Sequence, residues 1–289
     1  MRLDGRRKSD NVEDRRRSGG KTAAGLGIGG IVIVGLMTLL SGGNLMDVVT
    51  NLLSSGQLSN ITQTGTEYVP SAEEEAMADF AEQILAGTED VWTQEFKKMG
   101  RTYTPPKMVL YTSATTSGCG SASKQTGPFY CPVDQTVYLD LSFFDQMRGQ
   151  LGAGGDFAYA YVIAHEVGHH VQYLLGTLDE VQRKQSRMSQ KESNQLNVRL
   201  ELQADFYAGI WAYHDNKMYG SLESGDIEEG LNAATAIGDD RLQMQSQGYT
   251  VPDAFNHGTS AQRTRWLKKG ASTGRVADGD TFSPAYTSL

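Results

Sequence analysis

Cysteine is almost missing from this 289-residue chain, with Cys119 and Cys131 the only two. Two thiolates twelve residues apart and no second pair argue against a cysteine-based zinc site. Histidine is scarce as well, five in all, and no basic residue occurs from Thr22 through Phe96. The net charge of −8 argues against nucleic acid as a partner. No internal repeat and no glycine-rich nucleotide fingerprint are present, so solenoid and dinucleotide-binding architectures drop out. Cys119 and Cys131 share the loop-rich stretch Ser117–Pro132. In an oxidising compartment they would close a disulfide, and in a reducing one they would stay two free thiols.

What is present is unevenly spread. The first 21 residues hold eight Lys/Arg against four acids, and Ala23–Leu40 then carries no charge. As a helix that span is roughly 27 Å long, enough to cross a bilayer. Its basic flank stays inside under the positive-inside bias. A cleaved signal peptide fits less well, since the basic region is long and no A-x-A site follows Leu40; a buried core helix is the other rival. The expected layout is a basic cytoplasmic tail (1–22), a transmembrane anchor (23–40), a Ser/Gly/Asn/Thr-rich flexible spacer (41–69) and a globular domain (70–289). It places a single-pass protein in the plasma (inner) membrane with its domain outside the cytoplasm.

Within the domain, Ser71-Ala-Glu-Glu74 is a capping-box pattern opening a helix to about Lys98. Lys107–Thr112 and Thr136–Leu141 read as strands, and Ser142 is placed to cap a short helix. Asp156 is placed to cap a helix ending near Gly176. Helical patterns follow at about 179–190, from Ser193 to His214, and from Asp226 to Gln247. Strands early and helices late give an α+β fold, expected to be preceded by one transmembrane helix.

The sharpest local signal is His165-Glu166-Val167-Gly168-His169 inside the apolar run Ala158–Leu175. Residues four apart stack on one helix face, so His165 and His169 can each offer a nitrogen to one Zn²⁺. Glu166 then lies beside the ion's open position as a general base. A third histidine at the metzincin spacing would need a glycine at position 172 and a histidine at 175, where this chain has Gln172 and Leu175. Glu201 is the better third ligand. Its neighbours Leu200, Leu202, Ala204, Phe206, Tyr207 and Trp211 are apolar, and a buried acid there needs a cation. Asp205, one turn on, is placed to accept the far N–H of a ligand histidine. His170 lies about 100° further around the helix and should not reach the same ion. His214 is read as ending its helix, where a cation suits the dipole.

These residues, with Gly127-Pro-Phe-Tyr-Cys-Pro132, Thr136-Val-Tyr-Leu-Asp140, Glu201-Leu-Gln-Ala-Asp205, Gly238-Asp-Asp240 and the His257–Arg263 segment, resemble the bacterial putative neutral zinc metallopeptidase family. The match covers nearly everything after the spacer. Glu-x-x-x-Asp after His-Glu-x-x-His is similar to gluzincin peptidases, which implies a zincin-like fold core and their zinc chemistry. In the family pattern cysteines are common where this chain has Phe206 and Gly279. A bridge joining the C-terminal tail to the ligand helix is therefore expected to be missing.

The chemistry so implied is a membrane-anchored peptidase acting on a peptide or protein substrate. His257 and Arg263 are candidates to stabilise the oxyanion; the bland alternatives are a loop hydrogen bond for His257 and an ion pair to Asp239 or Asp240 for Arg263. Thr136–Leu141 would bind an extended peptide if it is an edge strand. The rival reading is a catalytically silent binding or quality-control module that keeps the zinc for structure. An intact Glu166 favours the peptidase. No motif for capturing a chain terminus, as an exopeptidase needs, is legible.

Overall fold

The computed structural model describes residues 1–18, 69–123 and 126–289. Its first element, β1 (Val12–Asp14), pairs in parallel with β2 (Lys107–Tyr111), Val12 opposite Met108. Between them in sequence runs α1 (Ala72–Lys98), opened by a capping box in which Ser71 accepts from the Glu74 N–H and the Glu74 side chain accepts from the Ser71 N–H. A hairpin, β3 (Ala114–Ser117) and β4 (Gly120–Ser123), leads to β5 (Phe129–Cys131) and β6 (Thr136–Asp140). The main sheet has the order β1-β2-β6-β5, with β5 an antiparallel edge. Period-two alternation gives it two buried faces. Met108, Leu110, Val137 and Leu139 enter the main core, while Val109, Tyr111, Tyr138 and Cys131 form a smaller cluster. Cys119 and Cys131 are joined by a disulfide, Cα to Cα 5.8 Å, tying the hairpin turn to the end of the edge strand.

Helices follow: α2 (Ser142–Gly149), α3 (Asp156–Leu175), α4 (Thr177–Gln185), α5 (Gln190–Tyr219), α6 (Asp226–Ala236), α7 (Asp239–Gln247) and α8 (Ser260–Thr273). The α+β order is the expected one. Burial concentrates where α3, α5 and α8 pack together, around Phe157, Phe206, Trp211 and Leu267. A large apolar side chain buried this fully contributes about 1.5–3 kcal/mol. The long α5 begins behind a second capping box, Ser189 with Glu192, three residues earlier than the sequence pattern placed it. It also runs five residues past His214, whose Nε2 donates to the Gly274 carbonyl instead of ending the helix. Asp226–Gln247 is two helices, not one, broken at Ile237–Gly238.

The expected transmembrane helix ahead of the domain is corrected. No helix among the described residues is long and apolar enough to cross a membrane, and Ala23–Leu40 and the spacer lie outside the described residues. Residues 1–18, moreover, are part of the domain. Besides β1, Arg6 makes a two-pronged pair with Asp215 (2.7 and 3.2 Å), and buried Arg16 binds Asp14, Glu75 and the Glu74 carbonyl. β1 and β2 pair in one sheet, so residues 1–18 and the residues after 69 lie together in the fold.

The C-terminal tail is held on α5 by other means than a bridge. Gly279 faces Phe206, so closely that a Cβ on Gly279 would lie 2.6 Å from that ring. Arg199 donates to the Thr281 and Phe282 carbonyls, and Gln203 to the Gly279 carbonyl at 2.9 Å. Ring packing and these bonds hold the tail on α5 where the family pattern would place a bridge.

Candidate metal centre

Helix α3 is apolar on nearly every side, and its buried run extends from Phe157 to Gly168. His165 and Glu166 are buried there and His169 is half-buried beside them, and such groups need partners. They get them because α3 lies close against α5. At the contact, a Cβ on Gly168 would sit 3.0 Å from the Ala204 carbonyl oxygen, so the glycine inside the pentapeptide permits an approach that any larger residue would crowd. That approach brings Glu201 to the two histidines.

The ligand atoms of His165, His169 and Glu201 all lie within 4.8 Å of one another. His165 Nε2 is 3.2 Å from Glu201 Oε2, and His169 Nε2 is 3.5 Å from Glu201 Oε1. Tetrahedral zinc with bonds near 2.1 Å sets ligand atoms about 3.4 Å apart, so the spacing suits one ion. Hydrogen bonding fixes the tautomers. His165 Nδ1 faces Asp205 Oδ1 at 2.8 Å, and an ionised carboxylate only accepts, so Nδ1 carries the proton. His169 Nδ1 faces Gln172 Oε1 at 2.9 Å, while the Gln172 amide nitrogen donates to the Leu200 carbonyl and to Gln203 Oε1. Both Nε2 lone pairs are thus turned toward a carboxylate, which is repulsive unless a cation lies between them.

The titration pattern carries the same message. Burial pulls His165 down, yet Asp205 and Glu201 lift it to about 10. Against the opposite pull of burial, His169 and His165 hold Glu201 well below the usual carboxylate range. A protein without metal must bring a proton into this cluster, and a divalent ion meets the same demand.

Asp205 is fully buried and its oxygens are heavily used. Arg263 of α8 grips it with Nε and Nη2, both at 2.9 Å, and the Tyr161 hydroxyl donates at 2.6 Å. Burial would raise Asp205; Arg263 and His165 hold it down at about 2. The expected pairing of Arg263 with Asp239 or Asp240 is not found. Those two acids cap the following loop instead. Asp239 accepts from the backbone N–H groups of Asn256, His257 and Gly258 and faces His257 Nδ1 at 3.1 Å. Asp240 takes the Ser260 N–H and hydroxyl. His257, so held, lines the cleft, its Nε2 without a partner among the described residues.

Glu166 lines the same cleft, about 550 Å³ in volume, and is not one of the three ligand-spaced groups. Burial raises its carboxyl, opposed by the two histidines and by the Tyr130 backbone N–H of β5. His170 points elsewhere: its Nε2 donates to the Thr104 carbonyl and its Nδ1 accepts from the Tyr130 hydroxyl. The strand beside the cleft is also not the expected one. Thr136–Asp140 is central, between β2 and β5, and of the two edge strands, β1 and β5, it is Phe129–Cys131 that lines the cleft. A second acidic trio, Asp156, Asp226 and Glu229, has metal-like spacing, but the Met1 ammonium already reaches Asp156 and Asp226. Sequence reading missed Tyr161, Gln172 and Gln203; a glutamine inside an apolar helix run is the signal that was there to use.

A family model described as putative neutral zinc metallopeptidase matches residues 1–282. The chain belongs to that family. The match includes residues 1–18, so the strand ahead of the membrane-like stretch is part of the family unit. Zn²⁺ is the metal this family implies, and the donor set fits it. The chain is 52% identical to Uncharacterized protein YpfJ of Escherichia coli (strain K12), over 98% of this chain and 99% of that one. It is 46% identical to Uncharacterized protein Rv2575 of Mycobacterium tuberculosis (strain ATCC 25618 / H37Rv), over 63% and 64% of the two chains. No solved structure matches the chain.

Proposed function

We propose that the protein is a zinc-dependent endopeptidase in which His165, His169 and Glu201 hold the metal and Glu166 is the general base. The observation that carries this reading is the pair of Nε2 atoms facing Glu201 at 3.2 and 3.5 Å in an open cleft, with Glu166 beside them. Zinc bound there supplies a Lewis acid that brings the pKa of water to about 7 and polarises a carbonyl. Glu166 takes the proton of the attacking water and passes it to the leaving amine, a role its raised pKa suits. His257, steadied by Asp239, donates from Nε2 to the oxyanion. Asp205 positions His165 through its Nδ1 proton. The edge strand Phe129–Cys131 offers an extended peptide a backbone to pair with.

The lining formed by the described residues supports internal rather than terminal cleavage. Its charged groups are the metal cluster, Glu166, His257 and Arg263, and Arg263 is spent on Asp205. None of them is left over to hold a terminal ammonium or carboxylate. Phe129, Phe143, Leu151, Val162, Leu178 and Leu200 supply apolar wall instead.

The test compares the full chain with Glu166→Gln, measuring bound zinc and cleavage of unfolded proteins. Wild type is expected to cut internally and the variant to keep its zinc while losing about 10²–10⁴ in rate. Zinc binding with no cleavage by wild type across a broad panel would leave the binding-module reading instead.

A further inference from the structure

We infer that Gln172 and Gln203 are positioning residues that link the docked C-terminal tail to His169, so that tail docking and metal binding reinforce each other. The path is continuous and each donor is assigned. The Gly279 carbonyl accepts from Gln203 Nε2 at 2.9 Å, Gln203 Oε1 accepts from Gln172 Nε2 at 3.1 Å, and Gln172 Oε1 faces the His169 Nδ1 proton at 2.9 Å. Gln172 is fully buried and Gln203 nearly so, so neither amide can exchange these partners for water without opening the core.

The direction of each amide is set from outside the pair. The Leu200 carbonyl, 2.7 Å away, can only accept, so it takes the second N–H of Gln172 and leaves Gln172 Oε1 turned toward His169. The Gly279 carbonyl fixes Gln203 in the same way, turning its Oε1 toward Gln172. If the tail leaves, Gln203 loses the acceptor that orients it, and the lock on Gln172 and the His169 ring loosens. His165 has a different support, Asp205 with Arg263 and Tyr161. The two ligand histidines are therefore steadied from two separate parts of the chain, α8 for the first and the tail for the second. By reciprocity, a metal that favours one His169 orientation must also favour the docked tail.

This inference rests on His169 binding the metal but not on catalysis, so its test uses binding and exchange. In the full chain, Gln203→Met removes the link with little change in side-chain volume. Zinc affinity by chelator competition is expected to fall about tenfold, in the range seen for partners of metal ligands, and the visible spectrum of the cobalt-substituted protein should change. Gln172→Met should do the same, and the double variant should lose little more than Gln172→Met alone. In wild type, zinc should slow hydrogen exchange of the 279–283 amides. Gln203→Met that lowers the melting temperature but leaves zinc affinity and the cobalt spectrum at wild-type values would overturn the inference. If that variant does not fold, the exchange experiment decides: tail amides indifferent to zinc in wild type would overturn it equally.

Discussion

Replacing Arg263 with methionine should be among the costliest single changes outside the ligand trio. The side chain is 3% exposed and makes four bonds: two to Asp205 at 2.9 Å, one to the Tyr161 hydroxyl at 3.1 Å and one to the Ile237 carbonyl at 3.3 Å. Methionine fills much of the volume but leaves Asp205, which has no exposed surface, without its guanidinium. Breaking a buried pair from one side costs about 3–5 kcal/mol, a large share of the roughly 5–15 kcal/mol available to a folded domain. A pH argument gives an independent scale. Asp205 sits at about 2 in the folded protein against an ordinary 3.8, a difference worth about 2–3 kcal/mol. Because the folded value is the lower one, this stabilisation is complete above pH 3.8 and is lost as pH falls toward 2. In the variant that acid-sensitive window should move to higher pH. The assay is urea unfolding of metal-free protein at several pH values, for Arg263→Met, Asp205→Asn and the double variant. Removing both charges should recover part of the loss. A cost below about 1 kcal/mol for Arg263→Met, or strictly additive single effects, would refute the buried-pair reasoning.

Gly168→Ala should push α3 away from α5 at Ala204, costing about 1–3 kcal/mol and weakening zinc binding; unchanged affinity in a chelator titration would count against the close-approach argument. His257→Ala should leave bound zinc intact and lower kcat/KM by about 10²–10³, as steady-state kinetics on an unfolded substrate can check. Burial lowers the His257 pKa, but Asp239 and Glu201 outweigh it, so its folded value lies above 6.5; activity that needs the protonated ring should fade as pH rises through that value, and Asp239→Asn should bring the decline to lower pH. Reducing the Cys119–Cys131 bridge, which closes a short loop, should cost about 3 kcal/mol by the loop-entropy model, visible as an earlier urea midpoint in the presence of a reductant.

The parts legible in the sequence were those that depend on near neighbours. The His165, Glu166 and His169 spacing is a consequence of helix geometry, and the Ser71–Glu74 cap is a contact within one turn. The box at Ser189 and Glu192 was equally local and could have placed the start of α5. Asp226–Gln247 read as one helix because its periodicity persists across Gly238. The backbone turns there so that Asp239 and Asp240 can cap the 256–260 loop, a contact that no window of that length contains. The apolar stretch 23–40 invited a membrane layout because composition cannot say that the residues before it pair with a strand nearly a hundred positions later.

The sequence by itself carried the proposed metal site: two imidazoles and a carboxylate on one helix face, and an acid in an apolar helix where burial calls for a cation. Tertiary structure alone decided which groups steady those ligands. It turned Arg263 to Asp205 rather than to Asp239, made Phe129–Cys131 the edge strand that lines the cleft, and carried the Gly279 carbonyl through two glutamines to His169. The physical reason is range. Helix periodicity and capping act over a few residues along the chain, whereas strand order and the partner of a buried charge are fixed by contacts between segments whose meeting only the packed core specifies.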